Sequence, residues 1–229
     1  WQCGENQAIR SDQIVEERKI MCISYSWEHE RKVSTLKWDL KMKDDFNLLR
    51  SFVKTLNKAD VVIGHNGDNF DLKWIKGRLL HHNLSPATLL TSIDTLKLAR
   101  REFNLNSFSL KYLGEYLGVG HKNPMSFQDW RDITIKKSPK ALRKMVLYCE
   151  KDVILLKKIY KKIKPHVTLP VNMSVLTSGN SWGCRNCGSH RVYGNGIRAS
   201  RQRTYQRMRC DDCGTQYQGT LIKSLEKRI

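Results

Sequence analysis

Two matched cysteine pairs, Cys184-x-x-Cys187 and Cys210-x-x-Cys213, form the densest cluster of reactive side chains in the sequence. Each pair is followed directly by a glycine, Gly188 or Gly214. Glycine permits the tight turn that aims backbone N–H groups at a thiolate. Four thiolates suit one structural Zn²⁺ in tetrahedral geometry. The other cysteines, Cys3, Cys22 and Cys149, are scattered and bring the total to seven. An odd count with no secretory signal argues against a disulfide framework. Fewer than about 50 residues cannot bury a sufficient core unaided, so zinc is expected to fold this unit and chelation to unfold it.

Between the cysteine pairs, arginines alternate with aromatic residues. Arg191, Arg198, Arg201, Arg203, Arg207 and Arg209 are interleaved with Tyr193 and Tyr205. Arginine grips phosphate bidentately and tyrosine offers a stacking surface, so a nucleic-acid contact is expected there. A protein-docking surface is the alternative. Residues 182–229 hold ten Lys or Arg against three Asp or Glu, a surplus that four thiolates and one Zn²⁺ reduce without cancelling.

A second constellation lies upstream. The segment Val61-Val62-Ile63-Gly64-His65-Asn66 runs on to Phe70-Asp71, an apolar strand delivering a carboxylate to the start of a helix. Such a position suits a metal-binding carboxylate, and equally a helix cap that bonds orphan N–H groups. Tyr148 and Asp152 stand four residues apart in a helical run, so hydroxyl and carboxylate share a face. Asn66 is placed to touch a nucleotide or to brace its loop, Asp94 to cap a helix, and His65 to serve as a hydrogen-bonded structural residue.

The elements that must carry these residues alternate between strand and helix. Residues 18–27 and 32–38 are β-rich runs flanking the polar Glu28–Arg31, which predicts a hairpin. Asp44 or Asp45 begins a helix through about Asn57, with Phe46, Leu49, Phe52, Val53 and Leu56 at helical spacing. A buried strand over 61–64 and a helix over 70–82 follow, then a strand over 89–93. Ser109 caps a helix with Leu110, Leu113, Tyr116 and Leu117 inward, stopped by Gly118 and Gly120. Ser138-Pro139 opens a long helix to about Lys164. The polar stretch 171–181 reads as a connector.

The order Asn-x-x-x-Phe-Asp, then Tyr-x-x-x-Asp some 80 residues later, resembles the second and third motifs of DEDD 3′-5′ exonucleases of the ribonuclease H-like group. Asp94-Thr95-Leu96 and Ser109-Leu110-x-Tyr112-Leu113 extend the likeness over roughly residues 1–168. Leu147 stands where the histidine subtype has His, so the chain is similar to the tyrosine subtype. The resemblance implies a mixed sheet flanked by helices and two Mg²⁺ or Mn²⁺ ions. It makes Asp71 and Asp152 metal-associated carboxylates and gives Tyr148 the attacking water to orient. The group's first motif, a strand-borne Asp-x-Glu, does not occur before Asp71. The resemblance places that strand centrally in the sheet and ahead of Trp1, so the 229-residue chain alone is expected to be inactive.

Composition bounds these readings. Lys and Arg number 41 against 22 Asp and Glu, for a net charge of +19 and a pI near 9.8. Such an excess favours a polyanionic partner, nucleic acid above all. Charge does not distinguish the sugar and no residue recognisably reads a 2′-hydroxyl; DNA is the expected substrate and RNA the alternative. No apolar run approaches the roughly 20 residues that span a bilayer, and the compartment is expected to be cytoplasmic. The expected organisation is an α/β exonuclease domain over 1–168, a linker over 169–181 and a zinc ribbon over 182–229. An RNA-trimming enzyme and a non-catalytic nucleic-acid-binding protein are the competing readings.

Overall fold

A computed structural model describes residues 12, 14, 16–38, 44–87, 91–121 and 124–224. The beginning of the strand expected from Leu89, and the Trp1-Gln2 start, lie outside the described residues. Strands β1 (Cys22–Tyr25) and β2 (Ser34–Lys37) form the expected antiparallel hairpin, with Cys22 opposite Lys37 and Tyr25 opposite Ser34. Helix α1 (Phe46–Leu56) buries Leu48, Leu49, Phe52 and Leu56 along one stripe. Strand β3 (Val61–Gly64) leads into helix α2 (Asp71–His81), which crosses over to strand β4 (Thr91–Asp94). The two strands pair in parallel, Val61 beside Thr91 and Gly64 beside Asp94. Parallel strands require such a crossover, and both C-terminal ends therefore open on one side. Among the described residues the hairpin and the β3–β4 pair are not hydrogen-bonded to each other.

Helices α3 (Thr95–Glu102), α4 (Leu110–Tyr116), α5 (Phe127–Thr134) and α6 (Pro139–Ile163) follow. Ser109, Ser126 and Ser138 each accept a first-turn N–H, and Pro139 sits at the start of α6, where its missing N–H costs nothing. Tyr116 departs from expectation: it is exposed and stacks on Tyr112 with ring centroids 5.7 Å apart. The 25-residue α6 links two hydrophobic clusters. Its first half supplies Ala141, Leu142 and Met145 to the cluster around α1 and the hairpin. Its second half supplies Leu155, Ile159, Tyr160 and Ile163 to the cluster around α3, α4 and Ile93.

A 3₁₀ turn (Lys164–His166) and helix α7 (Met173–Ser178) lead to an antiparallel sheet of β5 (Val192–Ala199), β6 (Arg203–Cys210) and β7 (Gln216–Ser224). Strand β6 lies in the middle. The architecture is the mixed α/β arrangement expected, with a small cysteine-bearing sheet unit after it.

Candidate functional site

The C-terminal ends of parallel strands are where open sheets place their ligands. At that end Asp94, at only 4% relative exposure, organises the turn that follows β3. Its carboxylate accepts the N–H groups of Asn66 (2.9 Å), Asp68 (3.3 Å) and, as the cap of α3, Leu96 (3.0 Å). Asn66 adopts a left-handed φ of 63°, and its carbonyl accepts the Phe70 N–H at 3.0 Å. Asparagine tolerates that conformation better than most residues. The Asn66 backbone thus braces the loop. His65 spans the same corner, with Nδ1 2.9 Å from Thr95 Oγ1 and Nε2 2.9 Å from the Phe108 carbonyl. Gly64 and Gly67 approach so closely that a Cβ on Gly64 would sit 3.3 Å from Gly67 Cα.

This braced loop ends in Asp71, the first residue of α2. The residue stays solvent-accessible overall, yet its carboxyl is pushed above the ordinary range, first by desolvation and then by the charge of Asp94. A carboxyl strained by burial and by a like charge gains from a divalent cation, which removes both penalties. That is the chemical fit of this corner to a metal.

Tyr148 and Asp152 lie four residues apart on α6, both half-buried. The intervening residues fix this helix on the hairpin: Cys149 Sγ lies 3.5 Å from Cys22 Sγ, and Glu150 accepts the Thr35 hydroxyl at 2.8 Å. Lower down, Lys157 donates to Ser26 Oγ (2.9 Å) and the Trp27 carbonyl (2.7 Å). Cys22 and Cys149, scattered in the sequence, are therefore neighbours. Their contact and burial push the Cys22 thiol far up.

The four paired cysteines converge. Among the described residues theirs is the one group of three or more His, Cys, Asp or Glu ligand atoms gathered within 4.8 Å. Cys184 and Cys213 sulfurs are 3.5 Å apart, and those of Cys187 and Cys210 3.6 Å. Zn–S bonds of about 2.3 Å in a tetrahedron put sulfurs about 3.8 Å apart, so the set fits such an ion. The two knuckles are near copies. Gly188 N–H bonds the Cys184 carbonyl (2.9 Å) and Gly214 N–H the Cys210 carbonyl (3.0 Å). Cys184 N–H bonds the Ser189 carbonyl (2.7 Å) and Cys210 N–H the Thr215 carbonyl (3.0 Å). Gly188 and Gly214 take φ values of 79° and 71°, as glycine allows. Burial pushes the Cys184 and Cys187 thiols up, but at Cys213 the Thr215 hydroxyl and N–H outweigh it and hold the thiol down to about 7.

The arginines divide by surroundings. Arg191 pairs with Asp212, which also receives the Ser189 hydroxyl. Arg207 donates from Nε to the Asn195 carbonyl at 2.7 Å, lying over a bulge in β5. Arg198 on β5 and Arg203 on β6 are exposed, Arg201 is exposed at the turn between them, and Tyr205 is half-buried on β6.

A family model described as RNase_H superfamily matches residues 14–164. A search of curated proteins gives no match. Among solved structures, the family B DNA polymerase from the hyperthermophilic archaeon Pyrobaculum calidifontis is similar over 58% of this chain and 20% of its own, with 15% identity and a TM-score of 0.46. This chain therefore spans a small part of that polymerase's length.

Proposed function

The chain belongs to the RNase_H superfamily, and from that premise we propose that it is a divalent-metal-dependent 3′-5′ exonuclease of the tyrosine subtype acting on DNA, with a zinc ribbon that anchors the substrate. The observation that carries the reading is the corner at the ends of β3 and β4, where an Asp94-held loop presents Asp71 with a carboxyl raised by burial and like charge. In the reading, Asp71 and Asp152 hold Mg²⁺ or Mn²⁺, hard ions suited to carboxylate oxygen. Such ions activate water and neutralise charge on the scissile phosphate. Tyr148, one helical turn before Asp152, orients the attacking water through its hydroxyl. Cys184, Cys187, Cys210 and Cys213 hold Zn²⁺.

Two measurements test it. In Mn²⁺ titrations followed by electron paramagnetic resonance, Asp71→Asn or Asp152→Asn should weaken binding at least tenfold, whereas the surface change Asp132→Asn should not. With the protein as its gene encodes it, 5′-labelled DNA should shorten stepwise from the 3′ end only with added Mg²⁺ or Mn²⁺. Loss of one positioned catalytic group typically costs 10² to 10⁴ in rate, which is the effect expected of Tyr148→Phe. Full cleavage by the Asp71 and Asp152 variants would end the assignment, and faster shortening of RNA than DNA would reassign the substrate.

A further inference from the structure

The cysteine-bearing sheet has two chemically different faces. Alternation along β6 puts Arg203, Tyr205, Arg207 and Arg209 on one face and Thr204, Gln206, Met208 and Cys210 on the other. Cross-strand register extends the first face: Arg198 of β5 stands opposite Tyr205, and Tyr193 opposite Arg209. On the other side Leu221 pairs with Tyr205, Gln218 with Arg207 and Gln216 with Arg209. The first face thus carries four arginines and two tyrosines, and no acidic side chain among the described residues. The second face is spoken for. Gln206 covers Gly194 and donates to the Gly196 carbonyl at 3.1 Å, Met208 covers Gly219, and Cys210 belongs to the metal set.

The bulge in β5 between Gly194 and Ile197 keeps this division intact. It lets residues 193 and 198, five apart, share a face that strict alternation would deny them. Arg207 holds the bulge through Asn195, so it shapes the face as well as charging it. Among the described residues Arg198, Arg203 and Arg209 have no acidic partner, unlike Arg191 with Asp212. Tyr193 is 42% exposed.

We propose that this face of the β5–β6–β7 sheet is a binding track for single-stranded nucleic acid, with bases stacked on Tyr205 and Tyr193 and phosphates held by Arg198, Arg203 and Arg209. The inference deepens the exonuclease reading and rests on it only for the source of the strand. Charge without an opposing carboxylate matches a polyphosphate rather than a mixed-charge protein surface. Tyrosines between the arginines select the single strand, because a duplex hides its base faces in the stack and leaves the rings nothing to meet. Tyr205 and Arg209 are four residues apart on one strand, so the two stacking points lie about 13 Å apart, a span an extended strand crosses but one stacked base step does not.

The test is fluorescence anisotropy with a labelled 20-nucleotide thymidine oligomer, a matching uridine oligomer and a duplex, with no magnesium or manganese added. The expected order is single strand tighter than duplex, with steep weakening by salt. Tyr205→Ala and Tyr193→Ala should each weaken binding roughly 5- to 100-fold. Tyr205→Phe should bind like the wild type, and Tyr205→Leu like the alanine variant. Arg203→Gln or Arg209→Gln should each lower the slope of log affinity against log salt by about one. Ile197→Ser, on the opposite face, should change neither. Zinc content and a melting curve for each variant confirm that the sheet is intact. Tighter duplex binding, or Tyr205→Leu binding as well as the wild type, overturns the track, as does failure of both single strands to bind. Binding without any hydrolysis by the gene-encoded protein would sink the exonuclease reading and leave the track standing. Hydrolysis with binding indifferent to Tyr193 and Tyr205 would do the reverse.

Discussion

The Asp45 carboxylate has no solvent exposure and accepts four donors: the Ile20 N–H (2.8 Å), Arg78 Nε (2.9 Å), Arg78 Nη2 (2.7 Å) and His82 Nε2 (2.7 Å). Desolvation opposes ionisation there, but Arg78, the Ile20 N–H and His82 prevail and pull the carboxyl down to about 2. It ties the segment before β1 to the start of α1 and to the end of α2, where local sequence offers only a helix cap. The cap itself falls to the preceding residue, since the Phe46 N–H bonds Asp44 Oδ1 at 3.0 Å. A carboxyl lowered in the folded state contributes stability that is fully present above its unfolded value. That contribution, about 2 kcal/mol, is lost as pH falls from about 4 through 2. Asp45→Asn leaves the Arg78 charge buried and unpaired, so urea unfolding at pH 7 should show a loss of about 3–5 kcal/mol. The variant should also lose that part of the acid sensitivity. An unshifted urea midpoint would mean that Arg78 finds another partner.

At the scale of elements, the approach of α4 to α6 depends on one missing side chain. A Cβ at Gly114 would stand 2.7 Å from the Gly120 carbonyl and 2.9 Å from Leu155 Cδ1, whereas a Cβ at Gly77 in α2 would meet nothing within 4 Å. Alanine improves helix propensity at both positions. Gly77→Ala should therefore raise stability by about 0.5–1 kcal/mol, while Gly114→Ala should lower it by about 1–3 kcal/mol through overpacking. Thermal melts of the pair decide it, and equal shifts would dismiss the steric argument. Elements with strong periodicity or clear punctuation were legible from residues alone: the hairpin around Glu28–Arg31, β3, α2, and α6 from Ser138-Pro139. Helix α5 was not, although Ser126 and Asp129 form a reciprocal capping box with Asp in the usual Glu place. Helix α7 has six residues, too few for a period to register. In the strand-end corner, Asp71 was legible as a helix-opening carboxylate. The hold of Asp94 on the preceding loop was not, because its partners come from residues 26 and 28 positions away.

Across the whole molecule, the cysteine unit is fastened to the end of the helix that carries Tyr148 and Asp152. A helix leaves its last carbonyls without partners. Asn186, buried between Cys184 and Cys187, donates to the carbonyls of Lys164 (2.5 Å) and Val167 (2.9 Å) and to Thr215 Oγ1 (3.2 Å). Thr215 in turn reaches the Pro165 carbonyl at 3.3 Å, and its Oγ1 lies 3.2 Å from Cys213 Sγ. The Met173 N–H bonds the Arg185 carbonyl at 2.8 Å, which seats α7 on the first knuckle. The knuckles that would wrap a metal thus carry the side chains, Asn186 and Thr215, that satisfy the end of α6. A strong chelator, which would strip any metal held by the four cysteines, should speed hydrogen exchange across residues 184–215 and also at 164–169. The α1 and α2 amides should keep their protection, because their cluster is shared with the other end of α6. Each buried carbonyl left unpaired costs about 1–3 kcal/mol, enough to raise local exchange by roughly one to two orders of magnitude. Asn186→Ala separates the two causes, since it should loosen 164–169 while leaving the four cysteines able to hold a metal. Unchanged exchange at 164–169 in both experiments would show that the fastening bears no load and that the two units are stable independently.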